Sequence, residues 1–337
     1  LFITSAIRPS VDQLVIKSAW EGLQVTIAIA LTSWILSMLI GILLGVLSTN
    51  LFWKSISSFS FLGKFIKYAL AIPRSIHEVV FGILFIQIFG LNIWVAIISI
   101  VIPYSALTAR VISEQLDSFD IKSLIALRQT GSNPIASFIT IFFPKLIPII
   151  STYGSYRLEC AIRGATLLGI FGLGGIGTEL YLTLKSMEFR EMWSCLWMLF
   201  LVMILLEKFI RFIRINLFTD INIKQSIFNL TSILLLSLLI GIFSLYRLNF
   251  DIFTPLRYTS INLPSFIELR DAFHELPLIK LIISTIIITF LASGIAIGTP
   301  PLLLLFFPNK LSLKVLNIIW IFFRLIPPPL TTIIILL

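Results

Sequence analysis

Four stretches of this sequence carry no charged side chain for more than 20 residues each: Glu21 to Lys54, Glu78 to Arg110, Lys224 to Arg247 and Lys280 to Lys310. A run of that length matches the hydrocarbon core of a bilayer, which takes about 20 apolar residues in a helix. Shorter apolar runs lie at 135–143 continued by 146–156, at 192–206, and from Leu325 onward. Together they predict an all-α, polytopic membrane protein of about eight transmembrane helices, near residues 22–47, 65–89, 93–113, 135–170, 191–212, 226–246, 278–307 and 315–337. With 58% hydrophobic and 12% charged residues, composition excludes a water-soluble fold, a disordered chain, a disulfide scaffold and a coiled coil.

The net charge of +9 would point to nucleic acid in a soluble protein. In a membrane chain the same excess belongs on cytoplasmic loops. Lys54, Lys64 and Lys67 follow the first span, Lys208, Arg211, Arg214 and Lys224 the fifth, and Lys310 and Lys314 the seventh. Alternating spans put all three clusters on one side, so the cytoplasm is expected there. The turn at Gly90-Leu91-Asn92 and the long 247–277 loop then lie outside, although Arg247, Arg257 and Arg270 run against the count. Cys160 and Cys195 have no metal-ligand spacing, so neither a disulfide framework nor a metal site is expected. The chain opens on Leu1, so a trimmed N-terminus is expected, and no signal-peptide pattern is present.

Tyr68-Ala69-Leu70-Ala71-Ile72-Pro73-Arg74-Ser75 has a later counterpart in Phe322-Phe323-Arg324-Leu325-Ile326-Pro327-Pro328-Pro329. Each places an Ile-Pro break at the entrance of an apolar span, and each follows a polar-dotted apolar span. Similar composition alone could produce this. A parallel repeat instead predicts one complete unit over 1–215 and the beginning of a second, incomplete one over 216–337. Pro328, Thr331 and Thr332 would then stand where Arg74, His77 and Glu78 stand in the first unit.

After the third span comes Ile125-Ala126-Leu127-Arg128-Gln129-Thr130-Gly131, then nine residues, then Ile141-Phe142-Phe143-Pro144. This resembles the cytoplasmic coupling motif of binding-protein-dependent ABC importer permeases, E-A-A-x-x-x-G-x9-I-x-L-P. Ala126, Gly131, Ile141 and Pro144 match, while Ile125, Leu127 and Phe143 depart from it. A short helix over 118–130 closed by Gly131 in a left-handed conformation, with Asn133-Pro134 opening the next helix, accounts for the pattern physically. An ordinary cytoplasmic hairpin would also satisfy it. Ile72 to Glu78 and Tyr153 to Gly177 resemble the phosphonate/phosphite branch of these permeases, which includes forms with two units fused in one chain.

The resemblance implies a type I permease fold in a bacterial inner membrane. It implies an external substrate-binding protein and two cytoplasmic ATPase subunits that bind ATP and Mg. It also implies either the remainder of a second permease unit or a second permease copy. Contact with the ATPases falls to the loop 118–133, with Asp120, Ile125, Ala126, Leu127, Arg128 and Gly131. No catalytic residue and no cofactor of its own is implied, and no nucleic-acid partner. Phosphate, an amino acid, a gradient-driven secondary transporter and a membrane scaffold stand as alternatives.

Gly172-x-Gly174-x-x-Gly177 has the dinucleotide spacing but interrupts apolar membrane sequence, where a strand-turn-helix unit is required. A turn of Gly172, Gly174, Gly175 and Gly177 at the outer gate is expected instead. His77-Glu78 lacks a second His one turn along, so a zinc peptidase is excluded, and no phosphate-binding G-x-x-x-x-G-K-[ST] occurs. Charges inside spans are costly and face a path or a partner. Arg74 with Glu78, and Glu159 with Arg163, have helical i,i+4 spacing and can neutralise each other. Arg157 lies on the opposite helix face from Glu159, about 20 Å along the helix from Pro144. It is expected either to meet a tetrahedral oxyanion in the path or to pair with Glu78 or Glu179.

Overall fold

The computed structural model describes residues 2–56, 61–217, 223–247, 265, 270–271, 277–306 and 315–316. All its regular elements among these are helices: α1 (Phe2–Ile7), α2 (Gln13–Ser48), α3 (Asn50–Ile56), α4 (Phe61–Ala69), α5 (Ala71–Ser75), α6 (Glu78–Phe89), α7 (Ile93–Ser118), α8 (Lys122–Gln129), α9 (Pro134–Leu168), α10 (Ile176–Lys185), α11 (Phe189–Leu217), α12 (Ile223–Arg247) and α13 (Leu278–Phe306). The chain forms two compact units, Leu1–Thr259 and Ser260–Leu337. In the second unit the described structure is chiefly α13, with Pro300 and Pro301 inside it.

Helix starts are set locally. Asp12 accepts from the N–H of Leu14 at the head of α2, and Asn92 accepts from Trp94 at the head of α7. Asn133 accepts from Ile135, and Pro134 fills the first helical position of α9. The first unit is built around α2, which packs along α7 and also meets α9 and α12. Gly41 and Gly45 form a G-x-x-x-G face on α2, pressed against Thr108 and Ile112 of α7. Any side chain there would meet those residues, and small residues of this kind let helices approach closely within a bilayer. Ile35, Met38, Ile97, Ile100, Phe142 and Leu146 are fully buried around that seam.

Buried hydroxyls turn back on their own helices, since lipid offers no hydrogen bonds. Thr32 donates to Ala28 O at 2.7 Å, Ser99 to Val95 O at 2.6 Å and Thr108 to Tyr104 O at 2.8 Å. Trp34 Nε1 crosses from α2 to donate to Gly154 O of α9 at 2.7 Å.

Among the described residues five helices are long and apolar enough to span a membrane: Gln13–Ser48, Ile93–Ser118, Pro134–Leu173, Phe189–Phe209 and Ile279–Leu303. They coincide with the first, third, fourth, fifth and seventh expected spans. The second expected span, 65–89, is not one helix: Phe61–Ser75 and Glu78–Phe89 meet at 82°. Ile76 and His77 are extended (ψ 129° and 147°), and His77 caps α6. Pro73, whose ring opposes the Ala69 carbonyl, explains the separate interruption between α4 and α5. The sixth expected span, 226–246, falls within α12, whose apolar stretch is Thr231–Phe243. The eighth, 315–337, and the second Ile-Pro segment with Pro328, Thr331 and Thr332 lie outside the described residues, apart from 315–316. The described residues thus give five spans and a sixth if the bent pair is one, against the eight expected.

Candidate functional site

At one end of α7 and α9 stands the loop with the coupling pattern. The short helix was expected over 118–130, yet Ser118 closes α7 and α8 begins at Lys122. Phe119, with ψ 144°, is the extended residue that separates them. Asp120 accepts from the N–H of Lys122 at 3.0 Å and fixes the start of α8. Leu124 is buried, Leu127 half-buried, and Ile121, Ile125, Ala126 and Arg128 are exposed. Gly131 has φ +81° and donates to Arg128 O at 3.0 Å. That is the left-handed closure the spacing predicts. Ser132 donates to Leu127 O at 2.7 Å, which ties α8 to the head of α9.

At the break in the second span Glu78 is buried, 7% exposed. Tyr104 OH lies 3.2 Å from Glu78 Oε1 and 3.1 Å from Cys160 O, within donating distance of both. His77 Nδ1 accepts from the N–H of Val79 at 3.4 Å and lies 3.4 Å from Glu78 Oε2. Gly164 of α9 makes room for this cluster, because a Cβ there would stand 3.2 Å from Glu78 Oε1. Arg74 does not pair with Glu78. The i,i+4 relation needs one continuous helix, and the bend between α5 and α6 removes it.

On α9, Arg163 Nη2 donates to Glu159 Oε1 at 3.0 Å, as their spacing predicts. Arg157 has neither Glu78 nor Glu179 as an ion partner among the described residues; Glu179 Oε2 takes the hydroxyl of Ser18 at 2.9 Å. Arg157 instead sits among three tyrosines. Its Nε donates to Tyr153 OH at 2.7 Å. Its guanidinium carbon is 5.0 Å from the ring centres of Tyr104 and Tyr153 and 5.7 Å from that of Tyr156. Sequence reasoning missed the tyrosines. Tyr153 and Tyr156 were visible one turn and one residue before Arg157, whereas Tyr104 comes from another helix.

The glycine cluster closes the other end of α9. The helix breaks within Gly169–Leu173 at Gly172, and Gly172, Gly174 and Gly175 have φ of +89°, +91° and +93°. The N–H of Ile176, at the head of α10, donates to Thr26 Oγ1 of α2 at 2.9 Å, and Thr26 donates to Gly22 O at 3.1 Å. A Cβ on Gly175 would collide with Thr26, and one on Gly177 with the Thr166 carbonyl. The segment before the turn is helix, so the strand that a dinucleotide site requires is not there.

Spanning helices joined by a short surface helix, with charged side chains held inside the bundle, define a polytopic α-helical membrane protein. Its backbone is similar to that of the MetNI methionine ABC transporter in inward-facing form, with a TM-score of 0.50, 19% identity, and coverage of 60% of this chain and 94% of that one. The fold is that of a type I ABC importer permease. The family described as binding-protein-dependent transport system inner membrane component matches residues 37–217, more than half of the sequence, and the chain belongs to that family. It is a non-enzymatic, multi-pass inner-membrane component.

Among curated relatives, the phosphite transport system permease protein PtxC of Stutzerimonas stutzeri is 25% identical over 136 residues, covering 40% of this chain and 50% of that protein. The putative cryptic phosphonate transport system permease protein PhnE2 of Escherichia coli (strain K12) is 26% identical over 94 residues, covering 28% of this chain and 77% of that protein. The chain thus spans half the length of the first of these relatives.

Proposed function

We propose that this chain is the membrane-spanning part of an ABC importer for phosphonate or phosphite. An external binding protein delivers the oxyanion, and two cytoplasmic ATPase subunits, holding ATP and Mg, drive the translocation cycle. A second permease unit provides the second coupling surface. The observation that carries this reading is the loop 118–133. It is a short helix with Ile121, Ile125, Ala126 and Arg128 exposed, closed by a left-handed Gly131 and set between two spans. Apolar side chains on an exposed helix at a loop suit a docking knob for a soluble partner. The identities to a phosphite and a phosphonate permease support the substrate class.

On this reading Asp120, Ile125, Ala126, Leu127, Arg128 and Gly131 transmit the ATPase stroke. The path and gate are built from Arg74, His77, Glu78, Arg157, Glu159 and Arg163 with Gly172, Gly174, Gly175 and Gly177. Proteoliposomes holding the permease, its ATPases and the binding protein test the proposal. Radiolabelled phosphite or methylphosphonate should accumulate with ATP and not without it. Uptake that follows an ion gradient in the absence of ATP contradicts it, as does uptake confined to phosphate or an amino acid.

A further inference from the structure

We propose that Tyr104, Tyr153 and Tyr156 make Arg157 a binding site for a tetrahedral oxyanion inside the bundle, with Tyr104 as the positioning residue that ties this site to the bend of the second span. The proposal rests on the importer reading and names the residues that would meet its cargo.

A guanidinium has five N–H donors in its plane and two π faces. Here the aromatic contacts lie with Tyr104, Tyr153 and Tyr156, and the Nε–H goes to Tyr153 OH. Cation–π contact lowers the cost of holding the charge but leaves it formally unneutralised. Three carboxylates that could have neutralised it have other partners. Glu78 accepts from Tyr104, Glu159 from Arg163, and Glu179 from Ser18. Among the described residues no hydrogen bond or ion pair takes the two Nη groups, which form the fork that matches two oxygens of one anion. Arg157 is half-buried and Tyr156 is 52% exposed, so the site is open on one side.

Tyr104 holds the arrangement in place. Its single hydroxyl lies between Glu78 Oε1 and Cys160 O, which fixes the ring beneath the guanidinium. Glu78 is the first residue of α6, immediately past the 82° bend. A change at the bend would therefore move Tyr104, and with it the support of Arg157. A site built on one arginine, with the nearby Arg163 engaged by Glu159, binds weakly, which suits a cargo that must leave again. Phosphite and alkylphosphonates present the required pair of oxygens, and sulfate presents the same geometry as a competitor.

The test uses the assembled transporter in proteoliposomes with its binding protein. Wild-type uptake of phosphite comes first, because a wild type that moves no phosphorus oxyanion fails the importer reading whatever Arg157 does. With an active wild type, Arg157→Gln should lower uptake about tenfold or more, the loss of a charged hydrogen bond pair. Half-saturation, which the binding protein sets, should not move. Arg157→Lys keeps the charge and loses the fork, so it should fall only about threefold. An Arg157→Gln complex that assembles and transports at the wild-type rate overturns the site.

Phosphorus NMR of phosphite added to the complex without binding protein supplies a second readout independent of turnover. The wild-type complex should broaden the phosphite line, sulfate should reverse the broadening, and Tyr104→Phe should weaken it while keeping the ring. Equal broadening by the wild-type and Arg157→Gln complexes contradicts the site, and so does the absence of broadening by wild type.

Discussion

The two ends of α9 are both shaped by glycine, and for different reasons. At the loop between α8 and α9, Gly131 has φ +81° and nothing within 4 Å of where a Cβ would stand. It is there for backbone conformation alone. At the far end, a Cβ on Gly175 would be both at positive φ and inside Thr26, and one on Gly177 would strike the Thr166 carbonyl without any positive φ. These glycines let α2, α9 and α10 meet backbone to backbone. One end is an exposed knob whose form is local, and the other is an interlocked turn whose form depends on a helix 150 residues away in sequence. On the proposed reading, a contact for the ATPases and a gate ask for those opposite properties.

Substitutions can break this contrast. Gly175→Val should be the most damaging, with steric overlap and an unfavourable backbone region adding to about 3 kcal/mol or more. Loss of monodisperse protein in detergent is the expected result. Gly177→Ala isolates the space requirement and should cost about 1–3 kcal/mol, read as a lower thermal transition in detergent. Thr26→Ala removes the acceptor of the Ile176 N–H and should cost about 1–2 kcal/mol by the same measurement. Gly131→Val is the conformational counterpart at the other end, at about 1 kcal/mol. It should leave membrane insertion intact, lower the thermal transition less than Gly177→Ala does, and reduce stimulation of the ATPases, whereas Gly131→Asn, which tolerates the left-handed region, should retain more of it. If Gly131→Val destabilises the protein as much as Gly177→Ala does, the two ends are not built on different principles.

What the sequence made legible follows the same division. The charge-free stretches and the shorter apolar runs located five spans among the described residues because a bilayer imposes a length and a composition on each segment separately. Gly131, Asn133 and Pro134 announced their turn because caps act within a few residues. Glu159 and Arg163 found each other because they share a helix. The reasoning failed where a second element intervened. Arg74 and Glu78 have the same spacing as Glu159 and Arg163, but the extended Ile76 and His77 part them. Glu78 then takes its hydrogen bond from Tyr104 on α7. The surroundings of Arg157 were half visible, as Tyr153 and Tyr156 on its own helix, while Tyr104 entered only through packing. Thr26 was an unremarkable polar residue in an apolar span until the fold brought Ile176 to it.

The central claim, that α8 faces the motor and the glycine turn faces away from it, is tested most directly by cross-linking from single cysteines. In a chain carrying Cys160→Ala and Cys195→Ala, Ile125→Cys is placed on the exposed face of α8 and Leu182→Cys on the exposed face of α10. In the assembled transporter Ile125→Cys should cross-link to an ATPase subunit, and Leu182→Cys should not. In intact cells Leu182→Cys should react with a membrane-impermeant thiol reagent and Ile125→Cys should be protected. Cross-linking from position 182 to the ATPase, with position 125 labelled from outside, would invert the topology and contradict the assignment of the coupling loop.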